Sequence, residues 1–180
     1  MYLREDWQTP TYASVRGGFG DGLVTLAKQD DRVVALSADL VASVGFGKFA
    51  EHIGAPRLIE VGVAEQNLVT VASGLAAMGN IPFAASYASF SPGRNWEQIR
   101  TTICLNNQPV KVVGSHAGLN VGPDGATHQM LEDIALMRSL PNMVVLAPGD
   151  AHEAELIAAA MVADSRPNYV RLPRADVPLF

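Results

Sequence analysis

The fold is decided by the stretch Val110-Lys-Val-Val-Gly-Ser-His-Ala-Gly-Leu-Asn-Val-Gly-Pro-Asp-Gly-Ala-Thr-His-Gln129, in which a short apolar run leads into a glycine-rich polar loop. A strand that ends in a long ordered loop is where open α/β sheets bind their ligands. The loop carries His116, Asp124 and His128, which can hydrogen-bond a hydroxylated substrate and move protons near neutral pH. Their spacing alone is compatible with a metal site, a sugar or polyol site, or solvated turn residues.

The rest of the chain alternates short apolar runs with helical patterns. The patterns predict strands at 33–36, 58–59, 81–85, 110–114, 143–147 and 169–171, and helices at 16–29, 64–78, 94–105, 130–139 and 151–163. This alternation predicts an α/β fold: an open, mostly parallel β-sheet flanked by helices on both faces. No linker, low-complexity segment or repeat interrupts it, so we expect residues 1–180 to form a single domain.

Bulk properties exclude several classes of protein. The 180 residues carry a net charge of −5, which argues against nucleic acid and anionic membrane surfaces as partners. The single Cys104 excludes an intramolecular disulfide and fits a reducing compartment. No apolar run is long enough to span a membrane, and the N-terminus has no signal-peptide core. We therefore expect a soluble cytoplasmic protein.

The glycine cluster Gly17-Gly-Phe-Gly-Asp-Gly22 invites interpretation as a phosphate-binding loop. Such a loop needs an apolar strand directly upstream, and residues 10–16 do not supply one. The first Asn downstream, Asn67, is also too distant for a metal-diphosphate motif. We favour a helix start that tolerates glycines, preceded by Arg16 as a cation able to meet a phosphate.

Glu65 begins a helix with one apolar face, where an acid complements the helix dipole. A functional interpretation rests on the full set of motifs: Ser37–Leu40, Val61–Asn67, Tyr87 with Phe90, Gly93–Arg100, the loop from His116 to His128, and Asn142–Pro148. In this order and spacing they resemble the pyrimidine-binding domain of transketolases, which are thiamine-diphosphate enzymes. The resemblance covers residues 9–178.

The resemblance implies a role for each matching residue. Glu65 is similar to the acid that hydrogen-bonds N1′ of the cofactor's aminopyrimidine, which helps to generate the reactive carbanion. Tyr87 and Phe90 match the aromatic pair that packs on the pyrimidine ring. His116 and His128 match the histidines that face the donor ketose. The remaining assignments are Asp124 for the C2 hydroxyl, Arg16, Ser43 and Arg174 for the sugar phosphate, and Asp39 for an acid near the cofactor at a subunit interface.

The chain also departs from full-length members of this family. By this resemblance we expect it to lack the preceding domain, which binds the diphosphate and Mg²⁺, and the C-terminal domain that follows. The resemblance therefore implies the second half of a split transketolase, or a piece of one, with no metal ligand of its own. A diphosphate-binding partner subunit would hold the Mg²⁺, sugar phosphates would be the substrates, and the assembly would be a homo- or hetero-oligomer.

Two classes of function compete for this sequence. The first is an enzyme that transfers a two-carbon ketol unit between phosphorylated sugars, and the second is a non-catalytic assembly or regulatory module with the same fold. The presence of Glu65, Tyr87, His116, Asp124 and His128 together favours the enzyme, because assembly does not require that set. Deoxyxylulose-phosphate synthases share the fold and remain an alternative, although the segments Gly93–Trp96 and Ala126–His128 are closer to transketolase.

Overall fold

The computed structural model of the chain describes residues 9–179. Its strands are β1 (Tyr12–Ala13), β2 (Val33–Ser37), β3 (Leu58–Glu60), β4 (Ile81–Tyr87), β5 (Lys111–Ser115), β6 (Val144–Leu146), β7 (Asn168–Arg171) and β8 (Val177–Pro178). Its α-helices are α1 (Val15–Gln29), α2 (Gly47–His52), α3 (Glu65–Ala77), α4 (Trp96–Gln98), α5 (Asp133–Arg138) and α6 (Ala151–Ala163). A π-helix at Ile99–Cys104 continues α4, and a 3₁₀ segment covers Gly122–Thr127.

Six strands form one parallel sheet in the order β3-β2-β4-β5-β7-β6. The predicted parallel sheet is therefore confirmed. The chain moves outward from β2 to β3 and then returns to β4 on the other side of β2. Such a reversal opens a crevice at the carboxyl ends of the two strands, where this class of sheet binds ligands. Strands β1 and β8 form a separate antiparallel pair.

Each face of the sheet is covered by its own hydrophobic core. On one face α1, α2 and α6 pack onto the strands through residues that include Phe19, Leu23, Phe49, Ala158 and Met161. On the other face α3, the π-helix and α5 contribute residues that include Leu68, Ala72, Ile99, Ile103 and Met137. These strands are buried on both sides, which explains why their sequences are continuous apolar runs. In the described part of the chain no helix is long and apolar enough to cross a membrane.

The glycines of the Gly17–Gly22 cluster allow α1 to pack closely against its neighbours. A Cβ on Gly18 would stand 2.1 Å from the carbonyl oxygen of Ala151, and one on Gly20 would stand 2.2 Å from that of Gly45. The Ser14 hydroxyl caps α1 by accepting from the Gly17 N–H at 3.1 Å. The cluster therefore serves helix packing; the strand upstream of it, β1, is only two residues long and is not the buried apolar strand that a phosphate-binding loop needs.

The structure corrects two of the predicted helices. The segment 94–105 forms only a short α-helix and then widens into the π-helix, where the hydroxyl of Thr102 donates to the carbonyl oxygen of Gln98. Such back-bonding competes with the regular helical ladder. The predicted helix at 130–139 begins only at Asp133, because Met130 pairs with Gly118 in an antiparallel bridge. Helix α2, the 3₁₀ segment and the β1–β8 pair were not predicted from the sequence.

Candidate functional site

The candidate site lies at the carboxyl ends of three neighbouring strands. Tyr87 is the last residue of β4, and His116 follows directly after β5. Ser43 lies in the turn between β2 and α2. Because these strands are adjacent and parallel, their following loops meet at one edge of the sheet. The site predicted from the sequence is thus built on the most buried strands of the fold.

Four rings form a compact cluster at this edge. Tyr87 stacks on His116 with ring centroids 3.9 Å apart and an interplanar angle of 24°. Phe90 lies parallel to Tyr87 at 6.4 Å, and His128 presents its edge to Phe90 at 5.3 Å. The predicted aromatic pair and both predicted loop histidines therefore come together in three dimensions. Flat rings beside imidazole nitrogens can stack on a heterocycle and hydrogen-bond a polar substrate.

His116 is held in an uncommon state. Its backbone φ is +56°, in the left-handed region, which costs a residue with a side chain about 1–3 kcal/mol. Its side chain is 3% exposed, and its Nδ1 lies 2.8 Å from the Ser115 hydroxyl oxygen. Burial, followed by the positive charges of Arg16 and Arg174, lowers the pKa of His116 to about 4. The imidazole is therefore neutral at physiological pH and offers a hydrogen bond rather than a positive charge.

Glu65 is the first residue of α3, and its side chain is only 1% exposed. Nη1 of Arg94 donates to its Oε2 at 2.7 Å, and the amide of Asn95 donates to its backbone carbonyl at 2.8 Å. The Arg94 guanidinium also lies over the Phe90 ring, 4.9 Å from its centroid. Glu65 and Arg94 line a surface recess of about 430 Å³ together with Val63, Ala64, Gln66 and Asn67.

Arg94 is the one charged residue of this group to which the sequence assigned no role. It links the Glu65 carboxylate to the ring cluster, so a continuous set of contacts joins Glu65, Phe90 and the histidines. No local pattern reveals this contact, because the two partners are 29 residues apart in the sequence. The segment Gly93–Trp96 had indicated only a family resemblance.

The predicted phosphate-side residues also lie together. Arg16 donates through Nη1 to the carbonyl of Ser43 and through Nη2 to the carbonyl of Arg174 at 3.1 Å. Arg174 in turn donates to the carbonyl of Val121 and lies 3.6 Å from Asp124. Burial lowers the pKa of Arg16, although a guanidinium stays charged. Arg16 thus holds two loops in place, while Arg174 reaches toward the loop that carries Asp124.

Asp39 is placed differently from the other predicted residues. It is exposed in the turn after β2, has a φ of +62°, and donates its backbone N–H to the Glu60 carboxylate at 2.8 Å. The hydrogen bonds, ion pairs and ring contacts found over residues 9–179 do not link Asp39 to the ring cluster. Within the same range, no group of three or more His, Cys, Asp or Glu side chains is arranged to hold a metal ion.

A doubly wound parallel sheet with a ring and carboxylate cluster at its switch point defines a ligand-binding α/β domain. Comparison with known proteins gives its family: a family model described as the transketolase pyrimidine-binding domain matches residues 11–178. A transketolase C-terminal section from Methanocaldococcus jannaschii is 44% identical over 169 residues, which are 94% of this chain and 53% of that protein. The chain belongs to the transketolase family, as its pyrimidine-binding domain.

Two further proteins are similar to the chain in structure or in sequence. A solved split-gene transketolase, described as an inactive β4 tetramer, has a TM-score of 0.81 at 40% identity and covers 92% of this chain and 52% of that one. A 1-deoxy-D-xylulose-5-phosphate synthase from Syntrophus aciditrophicus is 43% identical over 93% of this chain and 25% of its own length. The chain thus spans about half the length of the split transketolases it matches. The family is one of thiamine-diphosphate-dependent transferases.

Proposed function

We propose that the chain supplies the pyrimidine-binding part of a transketolase that transfers a two-carbon ketol unit between phosphorylated sugars in the cytoplasm. The observation that carries this proposal is the buried Glu65 carboxylate, joined through Arg94 to the ring cluster at the switch point of the sheet. A fold alone does not require a carboxylate that is 1% exposed to face a recess beside aromatic rings.

The residues present fit one half of thiamine diphosphate and not the other. A buried acid that Arg94 links to the Phe90 ring, which stacks on Tyr87, suits an aminopyrimidine, which needs a hydrogen-bonding acid at its edge and flat contacts on its faces. A metal-bound diphosphate needs several oxygen ligands, and the described residues contain no group of three or more His, Cys, Asp or Glu side chains that could hold the metal. We therefore assign Mg²⁺ and the diphosphate to a partner subunit, with the cofactor shared across an interface in a homo- or hetero-oligomer. Asp39, exposed at the same edge, would face this interface.

Each side chain has a defined task in this proposal. When bound, thiamine diphosphate supplies the carbon nucleophile that accepts the two-carbon unit. Glu65 holds a proton at N1′ of the aminopyrimidine, and the rings of Tyr87 and Phe90 orient it. His116, which is neutral at physiological pH, hydrogen-bonds hydroxyl or carbonyl oxygens of the ketose, and His128 acts from its place against Phe90 and Tyr87 in the same ring cluster.

In this proposal the phosphate end of the sugar would bind at Arg174, beside Asp124. Arg174 and Asp124 already form a contact at 3.6 Å, and both have side chains that are 35% exposed. A phosphate approaching Arg174 would compete for this guanidinium, so that Asp124 becomes free to accept from a sugar hydroxyl. Arg16 contributes positive charge and fixes the turn that carries Ser43.

The proposal is tested by donor kinetics in the assembled enzyme, with the full-length subunit and a diphosphate-binding partner. His116→Ala and His128→Ala should each lower kcat/KM for a phosphorylated ketose by about 10²-fold or more, with cofactor affinity unchanged. His52→Ala is the matched control, because His52 is an exposed histidine on α2 outside the ring cluster. Stoichiometric zinc that is lost in either loop variant would contradict the sugar assignment and favour a metal site.

A second candidate function is that of a deoxyxylulose-phosphate synthase, since one such enzyme is 43% identical to the chain. The two reactions differ in the donor, because the synthase starts from pyruvate. Condensation of pyruvate with glyceraldehyde phosphate, without ketol transfer between sugars, would favour this candidate. Absence of both activities in an assembly that binds the cofactor tightly would favour a non-catalytic module.

A further inference from the structure

The loop between β5 and α5, residues 116–130, is closed at its base by a single bridge. The Gly118 N–H donates to the Met130 carbonyl at 2.7 Å, and the Met130 N–H donates back at 3.4 Å. Between these residues the chain makes a 3₁₀ turn that carries Asp124. Because the backbone ladder is so short, the position of the loop depends on the side chains that pack under its base.

Arg171, the last residue of β7, contacts both ends of this loop. Its Nη2 lies 3.0 Å from the point where a Cβ on Gly118 would stand. Its Nε donates to Oδ2 of Asp133 at 2.9 Å, three residues beyond Met130. One planar guanidinium therefore connects the start of the loop to the helix that follows it.

Tyr169 completes this arrangement from the same strand. Its hydroxyl donates to the same Oδ2 of Asp133 at 2.8 Å, and both side chains are 0% exposed. The ring is packed against Gly114, where a Cβ would stand 2.2 Å from the tyrosine hydroxyl oxygen. Burial, with the nearby Asp133 charge, raises the pKa of Tyr169 well above its ordinary value, so the hydroxyl stays protonated and donates.

The polar network formed by Asp133, Tyr169 and Arg171 carries a cost in folding free energy. Oδ1 of Asp133 is buried without a hydrogen-bond partner within the described structure. A buried carboxylate with one bare oxygen is less favourable than well-packed apolar side chains of the same volume. In some proteins such a group is retained because it selects one geometry among alternatives, and the geometry that this network touches is that of the loop base.

We propose that Asp133, Tyr169 and Arg171 form a base clamp that fixes the loop carrying His116, Asp124 and His128. They are positioning residues: they act on the site through the loop and do not touch a substrate. Removing the polar contacts of the clamp while keeping the Tyr169 ring in its core leaves the sheet in place but lets the loop open at the Gly118–Met130 bridge. The effect on catalysis rests on the proposed function, whereas the effect on the loop does not.

Amide hydrogen exchange on the full-length subunit tests the clamp directly. Arg171→Met should raise the exchange rate of peptides within 117–130 by about tenfold, with α1 and α6 unchanged. Tyr169→Phe, which removes one donor and almost no volume, should raise it by about threefold. Arg166→Met is the matched control, because Arg166 pairs with Asp164 at 2.9 Å before the start of the same strand. Unchanged loop exchange, or a uniform rise over the whole chain, in both clamp variants overturns the proposal.

A kinetic measurement separates the clamp from the proposed function. In the assembled enzyme Tyr169→Phe should lower kcat/KM for the ketose donor by about threefold to tenfold while cofactor affinity stays constant. An equal loss of cofactor affinity would overturn positioning through the loop. If the wild-type assembly transfers no ketol unit, the proposed function fails, and the exchange experiment still decides the clamp.

Discussion

The ion pair between Glu65 and Arg94 makes the sharpest prediction on folding stability. Glu65 is 1% exposed and the Arg94 side chain is 51% exposed, with 2.7 Å between the charged atoms. Arg94→Gln would leave a buried carboxylate without its cation, which costs several kcal/mol when both partners are deeply buried. Because Arg94 is half exposed, water would replace part of the interaction. We therefore expect the free energy of unfolding to fall by about 1–3 kcal/mol.

Glu65→Gln should behave differently, although it breaks the same contact. The substitution keeps the shape of the side chain and leaves no charge in the buried position, so we expect a change below about 1 kcal/mol. Arg100→Gln is the matched control, because Arg100 is an exposed arginine that stacks on Trp96 at 4.8 Å. Its loss should cost no more than about 0.5–1 kcal/mol.

Urea denaturation of the single variants and of the Glu65→Gln, Arg94→Gln double variant measures these differences. The double variant should be close in stability to Glu65→Gln alone, since without the carboxylate Arg94 has no buried charge to neutralise. The reasoning is refuted if Arg94→Gln is no worse than Arg100→Gln, or if the two single effects simply add.

Glu65→Gln should also lower the activity of the enzyme, independently of its effect on stability. In the assembled enzyme Glu65→Gln removes the acid proposed to hold a proton at N1′, so turnover at saturating cofactor should fall by about 10²–10⁴-fold. The direct assay is exchange of the C2 proton of the bound cofactor with solvent. An exchange rate equal to that of the wild type would exclude this role for Glu65.

Further predictions concern the loop, the sheet and the thiol. Since the folded pKa of His116 is about 4, below an ordinary value of about 6.5, the unfolded state binds more protons between them. The free energy of unfolding should fall by about 3 kcal/mol from pH 6.5 to 4, and His116→Gln should remove that part of the pH dependence in denaturation curves. Gly114→Ala would place a Cβ against Tyr169 and should lower the free energy of unfolding by about 1–3 kcal/mol. Gly74→Ala has open space around the new Cβ and should raise the free energy of unfolding by about 0.5–1 kcal/mol. Burial raises the pKa of Cys104 to about 11, so at pH 8 the thiol should be alkylated only in the unfolded protein. Rapid alkylation of the folded protein would contradict the burial of Cys104.

Periodicity in the sequence predicted most of the elements that pack onto the sheet. Apolar runs such as Val33–Leu36 and Val110–Gly114 predicted buried strands, since a parallel strand is apolar on both faces. The loops were predicted less completely from the sequence than the strands and helices were. The 3₁₀ turn at Gly122–Thr127 and the late start of α5 depend on the Gly118–Met130 bridge, a pairing that no local pattern encodes.

The sequence singled out several side chains that the structure brings together, but it predicted neither their geometry nor the participation of Arg94. The left-handed backbone of His116 and its depressed pKa arise from burial and from two distant arginines, so they are properties of the folded chain. Arg94 was missed for the same reason, since its partner Glu65 is far away in sequence. The roles of Glu65, Asp124 and the other site residues remain predictions that the experiments above address.

We propose that the cofactor site is shared, with the pyrimidine half in this chain and the metal-diphosphate half on a partner. Calorimetric titration of thiamine diphosphate with Mg²⁺, on the chain alone and on the chain mixed with a diphosphate-binding subunit, measures whether binding needs both. We expect weak or unmeasurable binding to the chain alone, and tight binding with ketol transfer in the mixture. Tight binding and turnover by the chain alone would contradict it.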